Sequence, residues 1–572
     1  MKSKRALAMI MACLMSVSLL GGCGGAGAES SKASEGSKAD SKPESSMGSE
    51  SKADADSSAS EESEEGKESE GGDSEFEYAE ISVEVFDRGT DGGKTDPTDN
   101  NWTDWIQKKV LEDLNIGVTF VPVPRSEETA GLNNLLAAGT APDICMTYDS
   151  GLITNLQLQG GLIDIAPYVD SLLPDYKELL GPDLALPGHD FIYRGLEKET
   201  GELFYLPQRR FNTAMRNIFI RKDWLDALGL PEPTTPETYF DALVAFKEQD
   251  PGGVGADKVV PFTLTADSRW TAGNIIESFI DPDLSEKDDW INSGVRSFTK
   301  PGYKEGVRFM NKMYNAGLVD REFPLYSNTD TMDSLVKSGV VGSLSANWDQ
   351  IFRDETNLLT DLQKNVPEAE MIAIDPMVSS DGVTHKGAYD AIGIKYFIPV
   401  TSESPEAAMR YLNWLSLYEN YYFLQWGPEG TVHEMVDGVP KLIGETGAWI
   451  QNSGQNLDYT LPVQNPAFSM DPIVNAKAIA NGYSVDPAII EEAYNVSMQN
   501  AKPGPVIPAT INSEATYSQI LVEKGDTLLI ESITASEADF DKVWDDGLAD
   551  WLASGGQEII DERTEKYFDP AA

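Results

Sequence analysis

The chain has 572 residues and a formal net charge of −50, with 94 acidic residues against 44 lysines and arginines. A surface of that sign repels nucleic acid and anionic lipid, which excludes a general affinity for polyanions. A neutral or cationic ligand fits this field better, unless a local basic pocket overrides it. The part after residue 75 is longer than one hydrophobic core usually supports, so we expect two lobes or more.

The first 22 residues have the pattern of a secretory signal. Three basic residues precede an apolar stretch at 6–20, and a stretch of that length falls short of the about 20 residues needed to span a bilayer. The letters LGGC, which end at Cys23, resemble a bacterial lipobox, in which the cysteine becomes the lipidated mature N-terminus. An ordinary cleavage site with an incidental cysteine is the alternative. We expect residues 1–22 to be a lipoprotein signal peptide and Cys23 to carry lipid.

Residues 23–77 are expected to form a disordered acidic tether rich in Ser and Glu. Residues 24–75 contain 15 acidic residues and 5 lysines, and most of the others are Gly, Ala and Ser. Such a composition cannot bury enough apolar surface to offset the entropy of ordering the chain. The tract would let a lipid on Cys23 hold a folded region at a distance from the membrane.

Cysteine usage agrees with export of a chain that has no disulfide. Cys13 lies in the predicted signal and Cys23 would be lipidated, so Cys145 alone remains for the folded part. No intrachain disulfide is then possible, and the fold must depend on its core. Cys145 lies in the apolar run DICMTY, which predicts a buried side chain rather than a nucleophile.

The first part of the folded region alternates between strand and helix patterns. Residues 81–86 alternate as a strand, residues 102–114 carry apolar side chains at four-residue steps, and GVTFVPV returns as a strand. The next helical pattern ends at Gly139, and the short strand DICMTY follows. This order predicts a parallel sheet with right-handed crossovers.

The loop after DICMTY is the first candidate for ligand contact. Ligands of such sheets bind beyond the carboxyl ends of the strands. Tyr148 and Asp149 of this loop could stack on and hydrogen-bond a ligand, or they could cap the next element. The sequence leaves both readings open.

Three later helices have recognisable signals. Thr235 and Pro236 give a cap and a first helical position, and Ser404 and Pro405 give another start. Residues 303–314 carry a stripe of Tyr, Val and Met at helical spacing. Such stripes predict core packing rather than a cofactor site.

Eight segments occur in an order that is specific to one family. They are LNNLLAAGTAPDICMTYD (132–149), GGLIDIAPYVD (160–170), GELFYLPQ (201–208), FIRKDWLDALGLPEPTTPETYFDALVAFKEQDP (219–251), YNAGLVDREF (314–323), VKSGVVGSLSANW (336–348), SPEAAMRYLNWLS (404–416) and DERTEKY (561–567). In this order they resemble bacterial extracellular solute-binding protein family 1, the lipoprotein substrate-binding component of carbohydrate-type ABC importers.

The resemblance implies an α/β, two-lobe periplasmic-binding-protein-like fold with a hinge and an inter-lobe ligand cleft. Lobe one would comprise residues 78–213 and 388–450, and lobe two residues 214–387 and 451–572. The chain would capture a solute, expected to be an oligosaccharide, and deliver it to separate ABC permease subunits. It would be a monomer without enzyme activity or cofactor, anchored by lipid on the extracytoplasmic face of the cell membrane.

Sugar sites combine aromatic rings with planar polar groups, so such neighbours outside the apolar stripes are candidates for ligand contact. Trp348 is the first candidate, together with Asn347 and Asp349, because it follows the segment in which relatives carry a cleft aromatic residue. The other candidates are Tyr148, Asp149, Arg209, Arg210, Trp270, Tyr389 and Trp426. Packing within the fold is the alternative for each of them.

The sequence offers few residues that could form a metal site or a catalytic site. The loop after the helix at 236–249 has a calcium-type position in relatives, but here it offers only Asp250 and Asp257 as carboxylates, so we expect no metal. Three histidines and no G-x-S-x-G leave little for a histidine-based triad. A pair of facing carboxylates stays possible, so the alternatives are a surface-anchored carbohydrate-active hydrolase and a non-transport adhesin or signalling receptor.

Overall fold

The computed structural model describes residues 76–88, 96–198, 200–353, 356–443, 458–459, 462–464, 468–469, 472–507 and 509–568. The predicted signal peptide, Cys23 and all of the tether except residues 76–77 lie outside these ranges.

Strands and helices are interspersed along the described part of the chain. The strands are β1 Ala79–Asp87, β2 Ile116–Pro124, β3 Cys145–Thr147, β4 Leu206–Arg210, β5 Arg216–Arg221, β6 Val260–Thr263, β7 Val341–Asn347, β8 Met371–Ile374, β9 Lys386–Gly387, β10 Ile392–Phe397, β11 His433–Val436, β12 Val439–Leu442, β13 Val463–Gln464 and β14 Ala501–Lys502. The helices are α1 Asn101–Leu114, α2 Glu128–Ala138, α3 Ser150–Leu158, α4 Val169–Leu172, α5 Pro174–Leu180, α6 Lys222–Leu228, α7 Pro236–Gln249, α8 Ser268–Thr271, α9 Gly273–Glu277, α10 Glu286–Ile291, α11 Tyr303–Asn315, α12 Asp330–Lys337, α13 Leu358–Asn365, α14 Pro405–Leu415, α15 Tyr418–Trp426, α16 Pro472–Ala480, α17 Pro487–Met498, α18 Asn512–Thr534, α19 Phe540–Trp551 and α20 Gln557–Lys566. Single helical turns of 3-10 or π type lie at Arg125–Glu127, Ala166–Tyr168, Phe191–Tyr193, Phe323–Leu325, Gln350–Phe352 and Leu552–Gly556.

The order β1–α1–β2–α2–β3 confirms the alternation predicted for the first part of the folded region. Asn100 caps α1 by accepting the backbone N–H groups of Trp102 and Thr103. Strand β1 is parallel to β2 over its whole length. A parallel bridge between Val83 and Ile144 places this pair beside β3.

The first sheet is mixed rather than purely parallel. Its order is β13–β4–β10–β3, and β10 is antiparallel to both β3 and β4. Strand β10 follows all strands of the second sheet in the sequence. No crossover helix within the first sheet therefore constrains its direction. Because β1 and β2 lie beside β3, these strands share one apolar core, in which Ile106 and Val110 of α1 are fully buried.

The second sheet has an apolar core on each face. Its order is β6–β7–β5–β8, and all six residues of central strand β5 are buried. Ile218 and Ile220 of β5 pack with Phe246 of α7 on one face. Phe219 points to the opposite face, where it packs with Leu344 of β7. Helices therefore cover both faces, as an α/β architecture requires.

The chain passes between the two sheets at residues 211–215 and again at 388–391. The two crossing segments are hydrogen-bonded to each other, since the Tyr389 N–H donates to the Thr213 carbonyl at 3.0 Å. Directly before the first segment, the Arg210 N–H of β4 donates to the Ala391 carbonyl at 2.7 Å. The division into lobes stays a prediction. Strand β13, which the sequence assigned to lobe two, pairs in parallel with β4 of the first sheet.

Other local predictions are confirmed by the structure. Thr235 caps α7 with Pro236 in its first turn, Pro405 begins α14, and the stripe of α11 is buried at Tyr303. Cys145 is buried, as its apolar surroundings predicted. Among the described residues, no helix combines the length and the apolar character needed to cross a bilayer.

Glu84 is an exception in the first core, because a carboxyl group of β1 is buried there with 2% exposure. Its Oε2 accepts the Met146 N–H at 2.7 Å. Burial raises the pKa of Glu84 well above its usual value, and the nearby Glu128 carboxylate raises it further. The folded chain therefore keeps a proton on Glu84 at pH values at which the unfolded chain has lost it.

We expect Glu84→Gln to remove part of the pH dependence of stability. Above the unfolded pKa, stability falls as pH rises because the folded state binds more protons, by up to about 1.4 kcal/mol per pH unit for one group. The stability of the variant relative to wild type should therefore increase as the pH is raised from 4 to 7. Urea unfolding at pH 4, 5.5 and 7 measures this difference, and a difference that stays constant with pH would contradict it.

Candidate functional site

Two arginines flank the first crossing segment and lie beside two aromatic rings. Arg210 is the last residue of β4, and Arg216 is the first residue of β5. Tyr389 lies in the second crossing segment, and Trp270 lies in the short helix α8. We call these four residues the cation–aromatic row.

Contacts run along the row from one cation to the other. The Arg210 guanidinium lies 4.2 Å from the centre of the Tyr389 ring. The Tyr389 and Trp270 ring centres are 6.3 Å apart, at an interplanar angle of 27°. The Arg216 guanidinium lies 4.3 Å from the centre of the Trp270 ring. Tyr389, Trp270 and Arg210 are half-buried, so the row is partly open to solvent.

Asn347 connects the row to the second sheet. It is the last residue of β7, and its side-chain amide lies 2.7 Å from Tyr389 Oη. With its nitrogen toward the two crossing segments, the amide also donates to the Met215 carbonyl at 3.2 Å, and its oxygen accepts from Arg353 Nη2. The row is thus held by residues from both sheets and both crossing segments.

Tyr148 forms a second aromatic group on the first sheet. Its ring stacks on Phe86 with centres 6.2 Å apart, and the Arg125 guanidinium lies 4.5 Å from its centre. Lys395 Nζ on β10 donates to the Tyr148 carbonyl at 3.3 Å. Burial raises the pKa of Tyr148, and the positive charges of Arg88, Arg125 and Arg210 oppose that rise.

Burial has the largest effect on the pKa values of the cations at this site. It lowers the pKa of Arg210 and the pKa of Arg216, and in each case nearby anionic or phenolic groups oppose the effect. The pKa of Lys395 is also lowered by burial, against the attraction of Asp390 and Asp149. An arginine stays protonated at neutral pH even so. The site therefore presents fixed positive charge.

The structure places Trp348, the first candidate of the sequence analysis, in a core. Trp348 is 4% exposed and packs in the core below the second sheet. Its ring makes edge contacts with Tyr494 at 5.4 Å and with Tyr483 at 6.4 Å. Asp349 is also buried, where its carboxylate accepts from Arg353 Nη2 at 2.8 Å and from Tyr483 Oη. The polar neighbours that suggested a cleft position satisfy one another inside the fold.

Two other candidates serve packing. Trp426 is 2% exposed and packs against Val439 and Ala478. Arg209 is 7% exposed, and its Nη1 donates to the carbonyls of Leu180 and Pro182. Residues adjacent in a strand point to opposite faces, so Arg209 turns into the first core while Arg210 turns toward Tyr389.

Asp149 resolves one of the open alternatives. Its carboxylate caps α3 by accepting the N–H groups of Gly151 at 2.7 Å and Leu152 at 3.2 Å. The loop candidates thus divide, because Asp149 is a cap and Tyr148 belongs to the aromatic group near the row.

The loop after α7 uses its first carboxylate for its own backbone. Asp250 accepts the N–H of Val254 at 2.9 Å and the N–H of Gly255 at 2.8 Å. Within the described ranges, no cluster of three or more His, Cys, Asp or Glu residues could hold a metal ion. That the protein binds no metal stays a prediction.

Sequence reasoning missed Arg216, Arg125 and Lys395. Arg216 opens RNIFIR, an apolar strand with a cation at each end, and Arg125 follows directly after β2. Cations at the ends of apolar strands were the signal that could have found them. Lys395 lies inside β10 and gives no such signal.

A cavity of about 1020 Å³ lies elsewhere, between α7, α11 and the loop at 378–380. Three phenylalanines, Phe240, Phe279 and Phe309, line it together with several carboxylates. None of the candidates from the sequence lies there. The cation–aromatic row, which brings together Asn347, Arg210, Trp270 and Tyr389, is the better candidate site.

Comparisons with known proteins agree on one family. The family model of bacterial extracellular solute-binding proteins matches residues 99–421. The polygalacturonan/rhamnogalacturonan-binding protein YtcQ of Bacillus subtilis is 25% identical over 479 residues, which are 80% of this chain and 86% of YtcQ. Lipoprotein LipO of the same organism is 23% identical over 477 residues, which are 79% of this chain and 86% of LipO.

A solved structure shares the fold. An EF-hand mutant of the Streptococcus pneumoniae ABC-transporter substrate-binding protein FusA, in complex with fructo-nystose, superposes with a TM-score of 0.62 at 16% sequence identity. The alignment covers 85% of this chain and 98% of the FusA chain. This likeness confirms the predicted α/β fold of the periplasmic-binding-protein type.

Proposed function

The chain belongs to the family of bacterial extracellular solute-binding proteins, and from this premise we propose that it captures an oligosaccharide beside the two crossing segments and delivers it to the permease of an ABC transporter. The cation–aromatic row is the observation that carries the proposal. Half-buried rings offer apolar surface to sugar C–H groups, and the neighbouring amide and guanidinium groups can hydrogen-bond hydroxyls. The names of YtcQ and FusA point to carbohydrates as well.

Ligand capture in this proposal uses the two crossing segments as a hinge. They join the two sheets and are bonded to each other, so a rotation about them would change the distance between Tyr148, which follows β3 of the first sheet, and Trp270 of α8 beside the second. A ligand that contacts both groups favours the closed arrangement through this difference in contacts. Ligand binding thus stabilises the closed conformation, which is the one presented to the permease.

Thermal unfolding of the full-length chain in mild detergent tests the proposal. An oligosaccharide at a hundredfold excess over its dissociation constant should stabilise the chain by about 2.7 kcal/mol. We expect Trp270→Ala to abolish this shift. Trp105→Ala is the matched control, because Trp105 is also half-buried but stacks on Phe423 at 4.3 Å, away from the row.

Assays of sugar release and of uptake, together with the thermal shift, separate the alternatives. Release of shorter sugars by the purified chain would favour the hydrolase and refute a binding role without chemistry. A shift that Trp270→Ala leaves unchanged would remove the row from the site. Binding without uptake in a cell that carries an ABC permease for the same sugar would favour the adhesin or signalling receptor.

We also propose that Cys23 anchors the chain by lipid on the extracytoplasmic face of the membrane, as the lipobox and the relative LipO suggest. Two acyl chains hold a protein firmly, whereas one holds it weakly. Cys23→Ala should move the chain from the membrane fraction to the soluble fraction. Cys145→Ala is the control, because this buried thiol should leave the distribution unchanged. A membrane-bound Cys23→Ala chain would contradict the anchor.

A further inference from the structure

Helix α18 is attached to the second sheet. Leu521 of this helix is buried in the same core as Ile218 of β5. At the start of α18, the Glu562 carboxylate of α20 accepts the backbone N–H groups of Asn512 and Ser513 at 2.9 Å and 2.7 Å. Because both its middle and its first turn are held in this way, we expect α18 to move together with the second sheet.

The same helix contacts α3, which belongs to the first sheet. Apolar residues of α3 pack with Phe397 of β10. Asn155 of α3 donates from its Nδ2 to the Ala515 carbonyl of α18 at 3.3 Å. The two helices approach closely, since a Cβ atom on Gly151 would lie 4.0 Å from Ser518 Oγ. Helices of the two sheets therefore meet here as well as at the crossing segments.

A turn of the first sheet gives two further contacts of this kind. The turn contains Glu197 and Lys198, and it follows Leu196, which packs against the first core. The hydroxyl of Thr510, two residues before α18, donates to the Glu197 carboxylate. Lys198 Nζ lies 3.1 Å from the centre of the ring of Phe568, which follows α20.

These three contacts are separate from the crossing segments at 211–215 and 388–391. We call them the latch, which consists of Asn155, Glu197 and Lys198 on the side of the first sheet and of Thr510, Ala515 and Phe568 on the side of the second. All six residues are exposed or half-buried. Polar, partly exposed interfaces of this kind allow the parts that they join to move. The latch can therefore open while the crossing segments keep the two sheets connected.

The latch lies next to both aromatic groups of the candidate site. Helix α3 begins directly after Tyr148 and its cap residue Asp149. Helix α18 contacts α8, the helix that carries Trp270. A separation of α3 from α18 would thus separate the helix beside Tyr148 from the helix beside Trp270.

We propose that the latch holds the two sheets together beside the candidate site, and that its release opens a path by which a solute enters and leaves. The role in solute exchange rests on the proposed function, whereas the opening itself is a property of the chain without ligand. Exposed hydrogen bonds and cation–π contacts each contribute little free energy in water. The closed and open arrangements then differ by a small free energy, which a bound ligand can readily change.

The distance between two spin labels on the full-length chain in mild detergent tests this inference. The labels are attached through Leu158→Cys on α3 and Ile520→Cys on α18, because both side chains are exposed. Cys145 is buried and should stay unlabelled. A sample without the two introduced cysteines measures any signal from Cys23. We expect one short distance to dominate when the latch is intact.

A variant with Asn155→Ala, Lys198→Ala and Thr510→Val removes the three latch contacts. We expect the fraction of molecules with a longer label distance to rise about tenfold, because three weak contacts are lost together. The replaced side chains are exposed or half-buried, so the variant should keep its fold.

Thr516→Val combined with Lys287→Ala is the matched control. The Thr516 hydroxyl donates to the Asn512 carbonyl within α18. Lys287 Nζ lies 5.4 Å from the centre of the Tyr567 ring, and α10, which carries Lys287, packs in the core of the second sheet. The control thus removes a hydroxyl and an ammonium without touching the latch, and it should give the wild-type distance.

The outcomes separate this inference from the proposed function. An unchanged distance distribution in the latch variant would overturn the latch and leave oligosaccharide capture intact. A longer distance that already dominates in wild type, or an equal rise in the control, would overturn it as well. Absence of a thermal shift with every oligosaccharide would overturn the proposed function and the role in solute exchange, whereas the label distances would still decide whether the latch opens.

Discussion

Trp348→Ala is expected to lower the free energy of unfolding by about 3–5 kcal/mol, the usual effect of removing a large aromatic side chain from a core. The ring is 4% exposed, and its edge contacts with Tyr483 and Tyr494 would be lost with it. Residual ligand binding by the folded fraction should be close to that of wild type. Urea unfolding gives the stability, and calorimetric titration gives the affinity.

Trp270→Ala is the contrasting variant. Trp270 is half-buried in a four-residue helix, so its removal should change stability by about 1 kcal/mol, while ligand binding should be lost. Unchanged stability and lost binding in Trp348→Ala would instead assign Trp348 to the ligand site, as the sequence analysis expected.

Gly302→Ala is expected to destabilise the chain by about 3 kcal/mol, from backbone strain and overpacking together. Gly302 precedes α11 with φ of 89°, and a Cβ there would lie 1.9 Å from the Phe279 carbonyl oxygen. The clash is with backbone, so it is relieved only by moving α11 away from the segment after α9. Thermal and urea unfolding measure the loss.

Gly139→Ala provides the matched control. Gly139 also has a positive φ, 69°, but no atom lies within 4 Å of a Cβ built there. Strain alone should then lower stability by about 1 kcal/mol. Equal losses in the two variants would show that the close contact at Gly302 adds nothing.

Local elements could be predicted because their signals are local. The strand at β1, the cap of α7 at Thr235 and the glycine after α2 were each predicted from a few neighbouring residues. Hydrophobic period, cap residues and turn residues act over the length of one element, and tertiary contacts did not override them here. The antiparallel direction of β10 could not be predicted, because it depends on a path through a second sheet.

The candidate site shows the same difference between what local sequence signals predict and what tertiary contacts decide. Arg210, Trp270, Tyr389 and Asn347 were found from their residue types, but Trp348, Trp426 and Arg209 have the same types and are buried in cores. In the sequence, a tryptophan beside polar residues that lies in a cleft cannot be distinguished from one that lies in a core whose polar groups pair with each other. Only the contacts of distant segments distinguish the two.

The sequence by itself determined the class of the fold, the order of its elements and the likeness to one family of binding proteins, because these follow from local pattern and from the order of motifs. It also determined a strongly negative mean charge. The tertiary structure alone decided where the local charge is positive in spite of this negative mean. Arg210 and Arg216 meet Tyr389 and Trp270 only because two crossing segments, far apart in the chain, are hydrogen-bonded side by side. Electrostatic interaction depends on distance and burial, and neither can be read from composition.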